Sequence, residues 1–182
     1  MPERTAADDV GRRNVARLGG VAALVGGLAW VVKGTVILGG GDQPPLLLEV
    51  APMLFGVALL SIAYSTLPPS RRRAVALGLA AVSAMAGFVA FSSELVGEVV
   101  GMALAISSIA LLLGLLLLPR RGPRPAPLAW WIGATTLPAL LVGGILSELD
   151  ERLLEAPLTC LGVAWIVLGW TALSDKVDTR SS

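Results

Sequence analysis

The sequence contains no histidine and only one cysteine, Cys160. Without histidine, the chain itself cannot supply a histidine-ligated haem, a histidine zinc site, a Ser-His-Asp triad or an imidazole proton relay. A single cysteine forms neither an intrachain disulfide nor a thiolate cluster. These absences exclude most common catalytic and metal-binding chemistries, so we expect no metal site and no cofactor.

Charged residues are also scarce. They make up 15% of the 182 residues, whereas an average soluble domain has about 25%. Hydrophobic residues make up 55%, and the mean hydropathy is +0.79. The net charge of +1 gives no electrostatic basis for binding nucleic acid. This composition excludes soluble globular and disordered proteins and indicates a membrane protein whose first partner is the lipid bilayer.

Six apolar stretches approach the length of about 20 residues that a spanning helix needs. Short polar breaks rich in glycine, proline and arginine separate them, and no break is long enough to fold as a domain. We therefore predict an all-α, polytopic bundle over residues 18–173, between tails at 1–17 and 174–182. The predicted spans are 18–38, 46–67, 74–91, 99–118, 128–146 and 157–173.

The charges alternate from one predicted loop to the next. The two tails and the second and fourth loops together carry twelve basic and five acidic residues, whereas the other side carries two basic and eight acidic residues. The positive-inside rule then predicts that both termini lie in the cytoplasm. Twelve arginines against two lysines, with abundant alanine, glycine and leucine, are typical of a GC-rich genome. We therefore expect a bacterial cytoplasmic membrane.

A weak internal repeat indicates three helical hairpins. Ser-Glu-Leu occurs at 93–95 and again at 147–149, and the second, fourth and sixth spans each open on a glutamate, namely Glu49, Glu98 and Glu155. Two explanations remain open. The repeat is either a true duplication or a set of similar helix starts, because an acidic residue in the first turn is stabilised by free N–H groups and the helix dipole.

Glycines recur at seven-residue intervals in the first and last spans. In lipid, small residues allow helix backbones to approach closely, so these positions predict packing faces, either within the bundle or between protomers. Cys160 is expected to be a small core residue. The predicted packing glycines are Gly20, Gly27, Gly34, Gly162 and Gly169.

Lys33 is the most informative ionisable residue. It lies about 8 Å inside the outer end of the first span, where a charge is costly. Glu49 lies about 5 Å inside the second span of the same hairpin, so the two depths are compatible with a Lys33–Glu49 pair. Lys33 either extends its ammonium to the surface and pairs with a rim acid, or lines an outward-facing pocket. The candidate site comprises Lys33, Glu49, Glu94, Glu98, Glu148 and Glu155.

This pattern favours a non-enzymatic role. The leading hypothesis is a membrane protein that binds or passes a small cationic or protonatable solute through an acidic vestibule. The alternative is a structural or accessory subunit whose glycine faces pack against a partner or a second copy. An intramembrane enzyme ranks third, because the sequence has no nucleophile elbow, P-loop, dinucleotide fingerprint or His-Glu-x-x-His motif, and no catalytic residue is predicted.

Overall fold

In the residues that it describes, the computed structural model of the chain is a bundle of six α-helices, which confirms the predicted all-α fold. It describes residues 6–42, 44, 47–96, 101–122 and 125–174, except the side chains of residues 6–9, 47–49 and 94. No strand occurs within these ranges. The helices are α1 (Ala6–Leu38), α2 (Leu47–Thr66), α3 (Arg71–Leu95), α4 (Gly101–Leu116), α5 (Ala126–Ser147) and α6 (Glu155–Ser174).

The helix boundaries lie close to the predicted spans, with two clear differences. The first helix begins at Ala6, twelve residues before the predicted start of the span, because residues 6–17 lack proline and contain alanine and arginine, which are good helix formers. A 3-10 helix, Glu151–Leu154, precedes α6 where a loop was predicted. The Asp150 carboxylate starts it by accepting a hydrogen bond from the Arg152 backbone N–H at 2.9 Å, in the manner of a helix N-cap.

Among the described residues, four segments are long and apolar enough to cross a membrane: Val10–Leu38, Arg71–Ser93, Ala126–Ser147 and Glu151–Ser174. Val50–Thr66 and Gly101–Leu116 are shorter apolar helices. That all six helices cross the membrane therefore stays a prediction. Large apolar side chains cover the exterior, and Leu141 and Ile145 are each about 70% exposed. An apolar exterior of this kind is unfavourable in water and is compatible with an integral membrane protein.

Helices that follow one another in the chain pack together, as the hairpin arrangement predicts, but the most extensive interface joins α1 to α6. The first and last helices thereby close the bundle. Helix α2 also contacts α3, α4 and α5, whereas α3 packs on α2 and α4 at the side of the bundle. Between α3 and α4, the buried Ser107 hydroxyl donates a hydrogen bond to the Ser83 carbonyl at 2.8 Å.

The predicted packing glycines lie where α1 crosses α6. A Cβ atom at Gly27 would lie 2.6 Å from the carbonyl oxygen of Gly162, and one at Gly20 would lie 3.2 Å from that of Gly169. Gly34 of α1 faces Thr159 of α6. The two backbones are therefore in direct contact, and these glycines are covered within one protomer rather than left free for a second copy.

Cys160 does not occupy the core position that was expected. It is exposed on α6, because the glycine face of that helix, not the neighbouring cysteine, turns toward α1. The core instead contains Phe55, Leu59, Trp165 and Leu168.

Two arginines make specific contacts at the end of the bundle that carries the second and fourth loops. The Arg72 Nε and Nη2 atoms donate hydrogen bonds to the Leu117 and Leu118 carbonyls, at 2.6 and 3.1 Å. These bonds occupy carbonyl groups just beyond the end of α4, which would otherwise lack partners. The guanidinium of Arg120 lies 4.3 Å from the centre of the Trp130 ring, within cation–π range. This arginine-rich end is opposite the end with the acidic loops, which we call the acidic end.

Candidate functional site: a buried ion pair beside an apolar cavity

Lys33 forms an ion pair with Glu155 across the interface between α1 and α6. The Lys33 Nζ atom lies 2.7 Å from Glu155 Oε1, and the two residues are 4% and 7% exposed. The Lys33 ammonium is therefore buried against α6 and does not reach the surface of the bundle. The two partners are 122 residues apart in the chain.

The position of each partner in its helix explains how two charges can be buried here. Glu155 is the first residue of α6 and directly follows the 3-10 helix, and the dipole of α6 favours a negative charge at this end. Lys33 lies one turn and a half before the end of α1, and the neighbouring Gly34 lets Thr159 of α6 approach closely. The carboxylate and the ammonium neutralise each other, which reduces the cost of removing both from water.

None of the other predicted site residues is seen to join this ion pair in the part of the chain that the structure describes. Glu148 is exposed at the end of α5 and contributes nothing to the pair. The side chains of Glu49 and Glu94 and the whole of Glu98 lie outside the described residues, so the Lys33–Glu49 pair stays a prediction. Of the six candidates, the structure brings together Lys33 and Glu155.

Three aromatic rings lie deeper in the bundle. Phe55 stacks on Trp165 with ring centres 4.1 Å apart, and it lies perpendicular to Trp30 with ring centres 5.1 Å apart. The Trp30 indole nitrogen Nε1 is buried and has no hydrogen-bond partner among the described residues. A buried donor without a partner is unfavourable in a protein interior.

An apolar cavity of about 190 Å³ adjoins the aromatic rings and is partly open to the outside. Its walls come from α1, α2, α4, α5 and α6, and leucines of α4 form much of the lining. Its hydroxyl groups, on Ser108 and Thr136, donate hydrogen bonds to carbonyls of their own helices. The cavity is therefore mostly apolar, and the ring of Trp30 forms part of its wall.

The ion pair and the cavity are neighbours along the same two helices. Trp30 precedes Lys33 by one turn of α1, and Leu158 follows Glu155 by one turn of α6; both Trp30 and Leu158 line the cavity. Because α1 runs toward the acidic end and α6 runs away from it, the ion pair lies between that end and this part of the cavity wall.

The sequence pointed to Lys33 and Glu155 separately but could not pair them, because pairing depends on how the first and last helices meet. It gave no indication of Phe55 or of the cavity. Within the described ranges, no three histidine, cysteine or acidic side chains are grouped so that they could hold a metal ion.

Comparison with known proteins gives no match for this chain among protein-family models, curated proteins or solved structures. The functional interpretation therefore depends on the site itself.

Proposed function

We propose that this integral membrane protein binds or passes a small cationic or protonatable solute at the Glu155 carboxylate. In this proposal the Lys33 ammonium occupies the carboxylate when the solute is absent. The observation that supports the proposal is the buried 2.7 Å contact between Lys33 and Glu155. Ionisable residues inside a membrane bundle are costly and are typical of solute and proton pathways.

A primary amine or another small cation offers Glu155 the same interaction that Lys33 makes. The lysine ammonium is a compact charge on a flexible four-carbon chain, so it can leave the carboxylate without moving the helix backbone. A solute that replaces it keeps the buried carboxylate paired and avoids the penalty of an isolated charge. The exchange would therefore couple binding of the solute to release of the lysine.

Exposed acids at the acidic end support entry from that side. Asp42, Glu148, Asp150 and Glu151 are exposed there, and a group of like charges raises the local concentration of a counter-ion. If the positive-inside rule holds, this end faces the outside of the cell.

The experiment that tests the proposal is chemical rescue by n-butylammonium, which reproduces the lysine side chain. The variant Lys33→Ala leaves Glu155 without its partner and opens space for an amine. In nanodiscs, n-butylammonium at 100 times its dissociation constant should stabilise this variant by about 2.7 kcal/mol. The double variant Lys33→Ala/Glu155→Gln should show no such gain, since it has no carboxylate to pair.

Arg152→Ala provides the matched control, because Arg152 is an exposed basic residue at the same end of the bundle. It keeps the Lys33–Glu155 pair, so its thermal stability should respond to n-butylammonium as the wild type does, and less than that of Lys33→Ala, because the amine must first displace the Lys33 ammonium. Uptake of radiolabelled methylammonium into proteoliposomes then tests passage by the wild type, and Glu155→Gln should abolish it. If a folded Lys33→Ala variant gains no stability from the amine, the pair is structural and the proposal fails.

A further inference from the structure

We infer that the turn between α4 and α5 binds the phosphate group of an anionic phospholipid, with the Arg120 guanidinium as the main contact. This turn lies at the arginine-rich end, so the inference is independent of the cation site proposed at the acidic end. Three observations support it: the contact that orients Arg120, the distribution of charge, and the apolar surface of the two helices.

The Arg120 guanidinium lies over an aromatic ring. Its Cζ atom is 4.3 Å from the centre of the Trp130 ring, and the chain turns between them at Gly122, where a φ of 131° favours glycine. An arginine over a ring still presents N–H donors at its edge, and their fork matches a phosphate group bidentately. Because Arg120 is exposed, a ligand can reach these donors.

The charges around the turn favour an anion. Arg121 is exposed beside Arg120. Arg72 of α3 brings a third guanidinium, because it donates hydrogen bonds to carbonyls just beyond the end of α4. The acidic side chains that the structure describes all lie at the acidic end, on the other side of the bundle. An anionic lipid therefore suits the turn better than a zwitterionic lipid, whose ammonium cancels the charge of its phosphate.

The surface of α4 and α5 indicates that the phosphate belongs to a lipid rather than to a soluble compound. Leu113 and Leu116 of α4 and Trp131 of α5 are exposed close to the turn. Acyl chains gain van der Waals contact with such side chains, whereas a soluble phosphate compound does not. Tryptophan is also enriched at the level of the lipid headgroups, and Trp131 lies against Trp130 with ring centres 5.0 Å apart.

Native mass spectrometry of the full chain in mixed micelles tests the inference. Dioleoylphosphatidylglycerol and dioleoylphosphatidylcholine share their acyl chains and a phosphate, but only the first has a net charge. Phosphatidylglycerol should bind about fivefold more tightly or better, the factor expected for one arginine near an anionic lipid. Glycerophosphoglycerol has the same headgroup without acyl chains, and it should bind more than about tenfold more weakly than the lipid.

Two exposed arginines separate a specific site from overall charge. Arg120→Lys keeps the charge but removes the planar fork, so phosphatidylglycerol should bind about fivefold more weakly, the equivalent of one hydrogen bond. Arg13→Gln is the matched control. It removes a charge at the same end, but from α1, which contacts neither α4 nor α5 in the described ranges. Its affinity should stay within about twofold of the wild type, because salt screens a distant charge.

Trp130 is a positioning residue in this account. Trp130→Leu removes the ring under Arg120 and should weaken phosphatidylglycerol as Arg120→Lys does, whereas Trp130→Phe keeps a ring and should restore most of the affinity.

Equal affinity of the wild type for the two lipids overturns the inference. So does an Arg120→Lys variant that binds like the wild type, or an Arg13→Gln variant that loses as much affinity as Arg120→Lys, since either result means that charge alone attracts the lipid. Equal binding of glycerophosphoglycerol and phosphatidylglycerol would make the ligand a soluble phosphodiester and would also overturn it.

Discussion

The two sides of the bundle are packed in opposite ways. Where α1 crosses α6, glycines bring the backbones into contact, and a Cβ at Gly27 would lie 2.6 Å from the Gly162 oxygen. Where α4 and α5 face the other helices, leucines and hydroxyl residues leave a cavity of about 190 Å³, whose wall is completed by residues of α1, α2 and α6. In a membrane, association depends on van der Waals contact rather than on the hydrophobic effect, so glycine gives the closer interface although it buries less side chain.

The close interface is also the one that contains the charges. Lys33 of α1 and Glu155 of α6 are in contact at this interface, and both residues are buried. On the open side, the polar groups are hydroxyls that bond within their own helices. The comparison shows that tight packing permits a buried charge, because it holds an oppositely charged side chain beside that charge.

Of the three changes considered, breaking the ion pair at the close interface should change the free energy of unfolding most. Lys33→Met leaves the Glu155 carboxylate buried without its partner and should lower the free energy of unfolding by about 3–5 kcal/mol. The double variant Lys33→Met/Glu155→Leu removes both charges and should recover most of that loss. Unfolding in mixed micelles measures each variant, and a double variant less stable than Lys33→Met would contradict the account.

Enlarging one glycine should have the next largest effect. Gly27→Ala places a methyl group against the backbone oxygen of Gly162 and the backbone nitrogen of Ile166, neither of which can rotate away. We expect a loss of about 1–3 kcal/mol in the free energy of unfolding. Gly144→Ala is the matched control, because nothing lies within 4 Å of its Cβ position, and it should not be destabilised. Similar losses in both variants would show that the α1/α6 contact does not limit stability.

Filling the cavity should change the free energy of unfolding least, and it should raise it rather than lower it. Thr136→Leu adds apolar volume to a space that is now empty, so the free energy of unfolding should rise by about 1 kcal/mol. Thr135→Leu, which changes an exposed neighbour, should leave it within about 0.5 kcal/mol of the wild type. A destabilised Thr136→Leu variant would mean that the leucine finds no free volume at that position.

Part of the fold followed directly from local sequence features. Apart from the start of α1, apolar length and the polar breaks placed each helix boundary within a few residues, because these signals act over one helix at a time. The early start of α1 and the 3-10 helix at Glu151–Leu154 were missed because both depend on local backbone preferences outside the apolar stretches.

The candidate site was only partly predictable. Lys33 was identified because a lysine within an apolar stretch is unusual, and Glu155 because each returning span opens on a glutamate. The expected partner was Glu49, since it lies on the adjoining helix of the same hairpin. The structure pairs Lys33 with Glu155, and this contact arises because α1 meets α6 as well as α2. The side chain of Glu49 lies outside the described residues.

The sequence by itself determined that this protein is an apolar helical bundle, where its helices lie and which residues are costly to bury. The tertiary structure alone decided that the first and last helices meet, that their glycines face each other, and that Trp30 borders an apolar cavity. Periodicity and apolar length are properties of one segment. Pairing across 122 residues and unfilled volume arise only from the way separate helices pack.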